Sequence, residues 1–260
     1  MKKIAVLFTT FLRPELAQIT VNSIIENTCE KPGLNTIILI GDQDESLKEI
    51  HYKRLVHYKL PFDCGLSASR NFLVQKAKEM NCEYCLLTAD SIKFTEMYNF
   101  NPVIDFLEKE EKRALMGFQL NSRLPWEGDL ELIEGKHFLL DTPKRPKIIF
   151  KGMTIQPVDI CRNFFLAKTD ALLQVQWDKE LRLAEHEDWF YRFKQAGYES
   201  FYTDYIKADY IGTKDGEYGK YRGRIGEFKR ILLKKYNLKE WIKYTPEMKK
   251  LFEEFKANKK

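Results

Sequence analysis

The sequence predicts an α/β fold with a nucleotide-binding layout, and three observations predict it. Short, wholly apolar runs alternate with stretches of helical spacing over the first hundred residues. Polar residues collect just after those runs, where the carboxyl ends of parallel strands bind ligands. No apolar run approaches the ~20 residues that a membrane-spanning helix needs.

The elements follow in order. Ile4–Phe8 is the kind of continuous apolar run that a strand buried on both faces shows. Pro14 suits the first turn of a helix that carries Leu16, Ile19, Ser23 and Ile24, with Asn27 and Pro32-Gly33 closing it. Residues 36–40 read as a second strand ending at Gly41-Asp42, and 54–58 as a third. Residues 67–80 form a helix capped by Ser67 or Ser69, and 83–87 a further strand. Strands separated by helices imply parallel pairing through right-handed crossovers. Asn101-Pro102 opens a helix to about 112, and 114–120 is a strand. Residues 121–152 read as hairpins and loops, a candidate lid. Residues 161–175 pass from strand to helix near Thr169, and 185–198 form a helix stopped by Gly197, with Trp189, Phe190 and Phe193 on one side. Two basic helices are expected at 225–237 and 246–257.

Composition narrows the class. The chain has 260 residues, 44% hydrophobic and 13% aromatic, which excludes disordered and low-complexity proteins and suits one large domain with an appendage. Its net charge is +5, but residues 214–260 carry 15 Lys and Arg against 7 Asp and Glu, so the preceding 213 residues sum to −3. The division expected is a body over 1–213 and a basic helical tail over 214–260. The opening MKKIAVLFTTFLRPE is basic and then apolar, but Arg13-Pro14-Glu15 cuts it short, so it reads as a first strand and not as a signal peptide. Five cysteines (29, 64, 82, 85, 161) show no paired spacing beyond Cys82 and Cys85, which suits a reducing cytosol and core packing. A cytoplasmic location is the expectation, with peripheral membrane association as the option the basic tail leaves open.

Familiar motifs are absent from the sequence: there is no phosphate-binding P-loop, no Gly-x-Gly-x-x-Gly, no Gly-x-Ser-x-Gly and no paired-His metal motif among His51, His57, His137 and His186. Thr10 and Arg13, Asp42, Arg70-Asn71, Asp90 and Glu187-Asp188 stand out at strand ends and helix starts. Taken singly, Arg70 could be a surface ion pair and Asp42 a turn or cap residue.

Through FTTFLRPELAQITVNSI, IILIGDQDES, CGLSASRNFLV, LLTADSIKFT and VDICRNFFLAKTDALLQVQWDKELRLAEHEDWFYRFKQAG, residues 3–210 resemble inverting glycosyltransferases of the GT-A fold, family 2 in the broad sense, and within them the ganglioside-type N-acetylgalactosaminyltransferases. The resemblance implies a Rossmann-like, nucleotide-sugar-binding fold with a mixed central sheet. It implies that Thr10, Phe11 and Arg13 hold the nucleotide, that Asp42 accepts a hydrogen bond from the base (usually uracil) and that Arg70 faces the diphosphate. Asp188 is the implied general base, with Glu187 its alternative or an acceptor contact. Asp159 and Asn163 are implied in the sugar pocket.

Two departures bear on the cofactor. Where the family carries an Asp-x-Asp for Mn²⁺ or Mg²⁺, this chain has Thr88-Ala89-Asp90-Ser91, leaving Asp90 as the one metal-ligating carboxylate, and Asp209 is followed by Tyr210 where relatives often have His. Without a metal, Arg70, Arg162 and Lys214 are the basic residues available to the leaving group. Trp126 is a candidate to stack on an acceptor sugar and His186 to contact acceptor or phosphate, whereas core packing explains Trp189 equally well.

The reading is transfer of a sugar from a nucleoside diphosphate, UDP in the first instance, to a hydroxyl of a glycan, glycolipid or nucleic acid, with inversion. The alternatives are a DNA-modifying transferase acting on a hydroxylated base and a non-catalytic nucleotide-sugar-binding module. The tail fits an anionic membrane surface, DNA, or packing on the domain.

Overall fold

The computed structural model describes residues 2–29, 35–48, 50–96, 98–121, 123–213 and 216–257. Pro32-Gly33 and Lys214 lie outside the described residues. The first half contains β1 (Ile4–Thr10), α1 (Pro14–Ile24, running into a π-helical turn to Cys29), β2 (Thr36–Asp42), β3 (Leu55–Lys59), α2 (Leu66–Glu79), β4 (Tyr84–Leu87), β5 (Ile92–Phe94), α3 (Asn101–Leu107) and β6 (Arg113–Asn121). The second half contains β7 (Asp129–Ile133), β8 (His137–Asp141), β9 (Ile148–Phe150), β10 (Met153–Val158), β11 (Phe165–Lys168), α4 (Thr169–Gln174), α5 (His186–Gln195), β12 (Glu199–Tyr210), α6 (Gly216–Gly223), α7 (Ile225–Lys235), β13 (Ile242–Tyr244) and α8 (Pro246–Ala257).

The main sheet is mixed, in the order β3-β2-β1-β4-β11-β6-β12-β10-β9, with β5 added against β12. β1 pairs in parallel with both β2 and β4, and β2 with β3, whereas β11 runs antiparallel to β4 and β6. Every residue of β1 is buried because the pleat sends Ala5 and Leu7 into one layer of core, and Ile4, Val6 and Phe8 into the other. The first layer also holds α2, α4 and α5, and the second holds α1 and α3.

Two expectations need correcting. α2 starts at Leu66 after Gly65, not at a serine cap. Gly65 sits at φ +87°, and the Ser67 hydroxyl donates instead to the Leu181 carbonyl, 2.7 Å away. Residues 129–141 form a β7–β8 hairpin whose Leu130, Phe138 and Leu140 are buried in the core, so this part of 121–152 is built into the body rather than covering it. The described part of the segment after 213 packs on the domain, one of the three readings its sequence allows. β13 pairs with β8 to complete a three-stranded sheet, and Leu232, Leu238 and Met248 are buried. The apolar side of α7 thus packs on the domain, with Arg230 and Lys234 left outside and Lys235 turned in toward Asp188.

Candidate functional site

A cleft of about 290 Å³ opens where β1, β2 and β4 end. Thr9, Phe11, Arg13, Gln43 and Thr88–Ile92 come from those strand ends, Arg70 from α2, Glu185 and His186 from the start of α5, and Tyr218, Tyr221 and Arg222 from α6. The parallel register sets Thr10 beside Asp42, so the loops after β1 and β2 emerge together. Backbone strain collects around this rim: Leu12, Glu45, Asp63 and Ala184 all carry positive φ. Such conformations persist where the surrounding structure enforces them.

Asp90 is buried, and both its oxygens are engaged by Arg13. Nε donates to Oδ2 at 3.1 Å and Nη2 to Oδ1. Burial pushes the Asp90 carboxyl up to about 6, partly offset by the Arg13 charge. The Tyr218 ring covers the other side of Arg13, with its centroid 3.7 Å from the guanidinium carbon. A hard divalent cation wants several free oxygen ligands. Here the single carboxylate is already in a fork-to-fork pair, and among the described residues no three His, Cys, Asp or Glu side chains gather as a metal group. The Asp209 carboxylate takes an Asn121 side-chain N–H at 2.9 Å. The donor set therefore does not suit a metal at Asp90.

Arg70 is buried, and its Nη1 donates to Glu185 Oε1 at 2.7 Å. Burial raises the Glu185 carboxyl, but the Arg70 charge, a backbone N–H and the Arg222 charge are among the contributions that together outweigh it, hold the group below its usual range and keep it ionised. Ala184, at φ 62°, turns the chain just before, so Glu185 heads α5 as its N-cap with its side chain in the cleft wall. Beside it, burial drives the His186 imidazole down to about 4, so the ring is neutral at pH 7. Its Nδ1 lies 3.1 Å from Asn163 Oδ1, and its ring packs 5.5 Å from Trp126.

The other expected site residues lie elsewhere. Asp188 is fully buried and outside the cleft lining. Its Oδ2 accepts Arg192 Nη2 at 2.8 Å and Nε at 3.0 Å, and its Oδ1 accepts Tyr236 Oη at 2.8 Å and Lys235 Nζ at 2.7 Å. Those partners engage both of its oxygens, and through Lys235 and Tyr236 it anchors the end of α7. Glu187 is also buried outside the lining, with Oε2 accepting Trp241 Nε1 at 3.2 Å, and burial pushes its carboxyl up to about 8.

Asp42 is fully buried and accepts amide N–H bonds from Asp44 and Leu47, with His57 Nε2 at 3.1 Å. Burial alone would raise its carboxyl, but the His57 ring and the amides outweigh it and hold it below the usual range. It fixes the loop, while its neighbour Gln43 reaches the cleft and accepts the Gly65 amide at 2.9 Å. Asp159 holds the body together through Leu130 N, Arg145 and Lys194. Thr10 is buried beneath the rim, and Phe11, Arg13, Arg70, Asp90, Trp126, Asn163 and His186 do line the cleft.

Sequence reading missed Glu185, Arg123, Tyr218, Tyr221 and Arg222. For Glu185 a signal was present, since it opens Glu-His-Glu-Asp immediately before the helix. A carboxylate at the N-cap projects off the helix end toward the positive pole, whereas one in the first turn lies along its side.

No family model matches the chain. Among curated proteins it is similar to mouse beta-1,4 N-acetylgalactosaminyltransferase 2, 25% identical over 70% of this chain and 34% of that protein. It is also similar to mouse and human beta-1,4 N-acetylgalactosaminyltransferase 1, at 28% and 26% over 59% of this chain and 30% of theirs. The chain thus spans about a third of the length of these relatives. Among solved structures it superposes on GalNAc-T7 with UDP, GalNAc and Mn²⁺, with TM-score 0.60, 13% identity, 87% of this chain and 48% of that one. It also superposes on S. aureus TarS, with TM-score 0.53, 12% identity, 89% of this chain and 72% of that one. The chain has the GT-A fold of glycosyltransferases, as its sequence resemblance implies.

Proposed function

We propose that this GT-A chain transfers a sugar from a nucleoside diphosphate, UDP in the first instance, to an acceptor hydroxyl with inversion, and that Glu185 is its general base. The observation that carries the reading is an ionised carboxylate at the head of α5, in the wall of the cleft at the carboxyl ends of the strands.

In the step proposed, the acceptor O–H gives its proton to Glu185 while its oxygen attacks the anomeric carbon. The bond from that carbon to the phosphate oxygen breaks, and the electron pair leaves with the diphosphate. Arg70 orients Glu185 and keeps it charged, and the arginines of the cleft offset the growing negative charge of the leaving group. Neutral His186 and Trp126 flank the base, where Trp126 offers a ring face to an acceptor sugar. Phe11, Tyr221 and Phe62, with ring centroids 5.0–6.0 Å apart, supply an aromatic wall for the nucleobase.

The relatives named above are beta-1,4 transferases of N-acetylgalactosamine, which favours a hexosaminyl donor and a glycan or glycolipid acceptor. A β linkage made from an α-linked nucleotide sugar requires inversion. Among the described residues no helix is long and apolar enough to cross a membrane. The exposed Arg230, Lys234, Lys239, Lys249 and Lys250 offer a basic face to an anionic surface.

The test is incubation with a panel of UDP-sugars and oligosaccharide acceptors, reading UDP release and the product anomer by NMR. A β product from an α donor is expected. A retained α configuration, or no turnover with any donor that binds, would sink the assignment.

A further inference from the structure

Seven arginines line the cleft against three carboxylates, Asp63, Asp90 and Glu185. Four of the seven are committed: Arg13 to Asp90, Arg70 to Glu185, and Arg182 and Arg224 to Asp63. Arg123, Arg162 and Arg222 have no carboxylate within ion-pair distance among the described residues. Arg162 donates to the Leu124 carbonyl and lies 4.8 Å over the Trp126 ring, while its Nε is buried without a partner. Arg123 lies 4.3 Å over the Tyr210 ring. Burial pulls Arg162 down to about 10, with the nearby Arg123 charge adding to the effect; Glu127 opposes it, but burial has raised that carboxyl too. Crowding of like charges around a cleft is unfavourable until an anion arrives.

We propose that Arg123, Arg162 and Arg222 form a metal-independent site for the diphosphate of the donor, with Arg13 seated on Asp90 where a divalent cation would otherwise be held. This rests on the nucleotide-sugar reading above and extends it to the cofactor. A nucleoside diphosphate sugar brings about two negative charges at neutral pH and gains another as the sugar leaves, which the surplus of about four positive charges can match without a metal. Planar guanidinium groups suit phosphate oxygens, since each can donate two parallel hydrogen bonds. Arg222 comes from α6, the helix that also lays Tyr218 over Arg13, so this segment beyond residue 213 completes the site.

The test titrates the full chain calorimetrically with UDP and with inorganic pyrophosphate, in EDTA and separately in excess Mn²⁺, and also with Mn²⁺ alone. Both anions are expected to bind in EDTA with Kd within about threefold of the Mn²⁺ value, to weaken steeply with salt, and Mn²⁺ alone to show no tight site. Arg222→Gln and Arg123→Gln should each weaken pyrophosphate about tenfold with an unchanged melting midpoint, and Arg222→Lys should recover part of the loss. Pyrophosphate binding in EDTA without tighter UDP binding would leave the arginine site standing and remove the nucleotide reading. UDP binding that appears only with Mn²⁺, or tightens more than about tenfold with it, overturns the proposal and leaves the nucleotide reading intact. Failure of both anions to bind under either condition overturns both.

Discussion

Replacing Asp188 by Asn separates a structural carboxylate from a catalytic one. Asp188 has no exposed surface and receives Arg192, Lys235 and Tyr236, which tie α5 to the end of α7. Removing one member of a buried ion pair costs ~3–5 kcal/mol when the remaining charge stays buried. Here the Arg192 and Lys235 side chains are 28% and 30% exposed and can turn to water, and Asn still accepts the Tyr236 hydroxyl. The cost expected is therefore at the lower end, about 3 kcal/mol. For a chain of this size that lowers the melting midpoint by ~6–12 °C. Thermal and urea denaturation followed by circular dichroism measure the loss, and transfer is assayed well below the midpoint. The predicted outcome is a marked loss of stability with turnover within a few-fold of wild type. A midpoint within ~1 °C of wild type combined with a loss of turnover above ~100-fold would falsify the assignment, because that pattern belongs to a catalytic base.

Four further outcomes are expected. Burial raises the Glu187 carboxyl to about 8, so the folded state holds its proton more tightly than the unfolded state, and the stability this group contributes is full below about 4.5 and lost as pH rises through about 8. Glu187→Gln should therefore match or exceed wild-type stability at pH 8 and flatten the decline between pH 5 and 8; an equally steep decline in the variant contradicts this. A Cβ at Gly65 would lie 2.6 Å from Arg182 Cγ at a φ of +87°, so Gly65→Ala should cost ~1–3 kcal/mol in urea denaturation, and an unchanged midpoint would refute the packing argument. Trp126→Ala should raise the acceptor KM about tenfold and leave the donor KM within a few-fold, whereas an effect on the donor alone would remove Trp126 from the acceptor side. A chain ending at residue 213 should fail to fold cooperatively, since it uncovers the buried Phe138 and Leu140 beneath β13 and α7; a cooperative melt from that chain would show the tail to be dispensable.

Much of the architecture was legible because local chemistry dictates it. The run Ile4–Phe8, Pro14 at a helix start and Gly197 after α5 each constrain the backbone wherever the chain goes next. Less of the site was legible. Asp42 stands beside the cleft residue Gln43 and Asp159 three residues before Arg162, but what each carboxylate does depends on partners such as His57 and Lys194, which only the fold brings near. Glu185 and Asp188 are three residues apart in one acidic motif, and the helix sends one to the cleft and the other into Arg192 and Lys235. The tail was legible in part for a related reason: its charge is visible in composition, while the packing of Leu232 and Met248 and the reach of Tyr218 and Arg222 into the cleft depend on distant contacts.

The central claim, that the carboxylate at the head of α5 takes the acceptor proton, is tested most directly by single-turnover transfer with Glu185→Gln at saturating donor. Gln keeps the shape and can still accept the Arg70 hydrogen bond, but it cannot take a proton. The account predicts a fall in kcat of at least ~100-fold with donor affinity within a few-fold of wild type. A Glu185→Gln protein that turns over at the wild-type rate would contradict it.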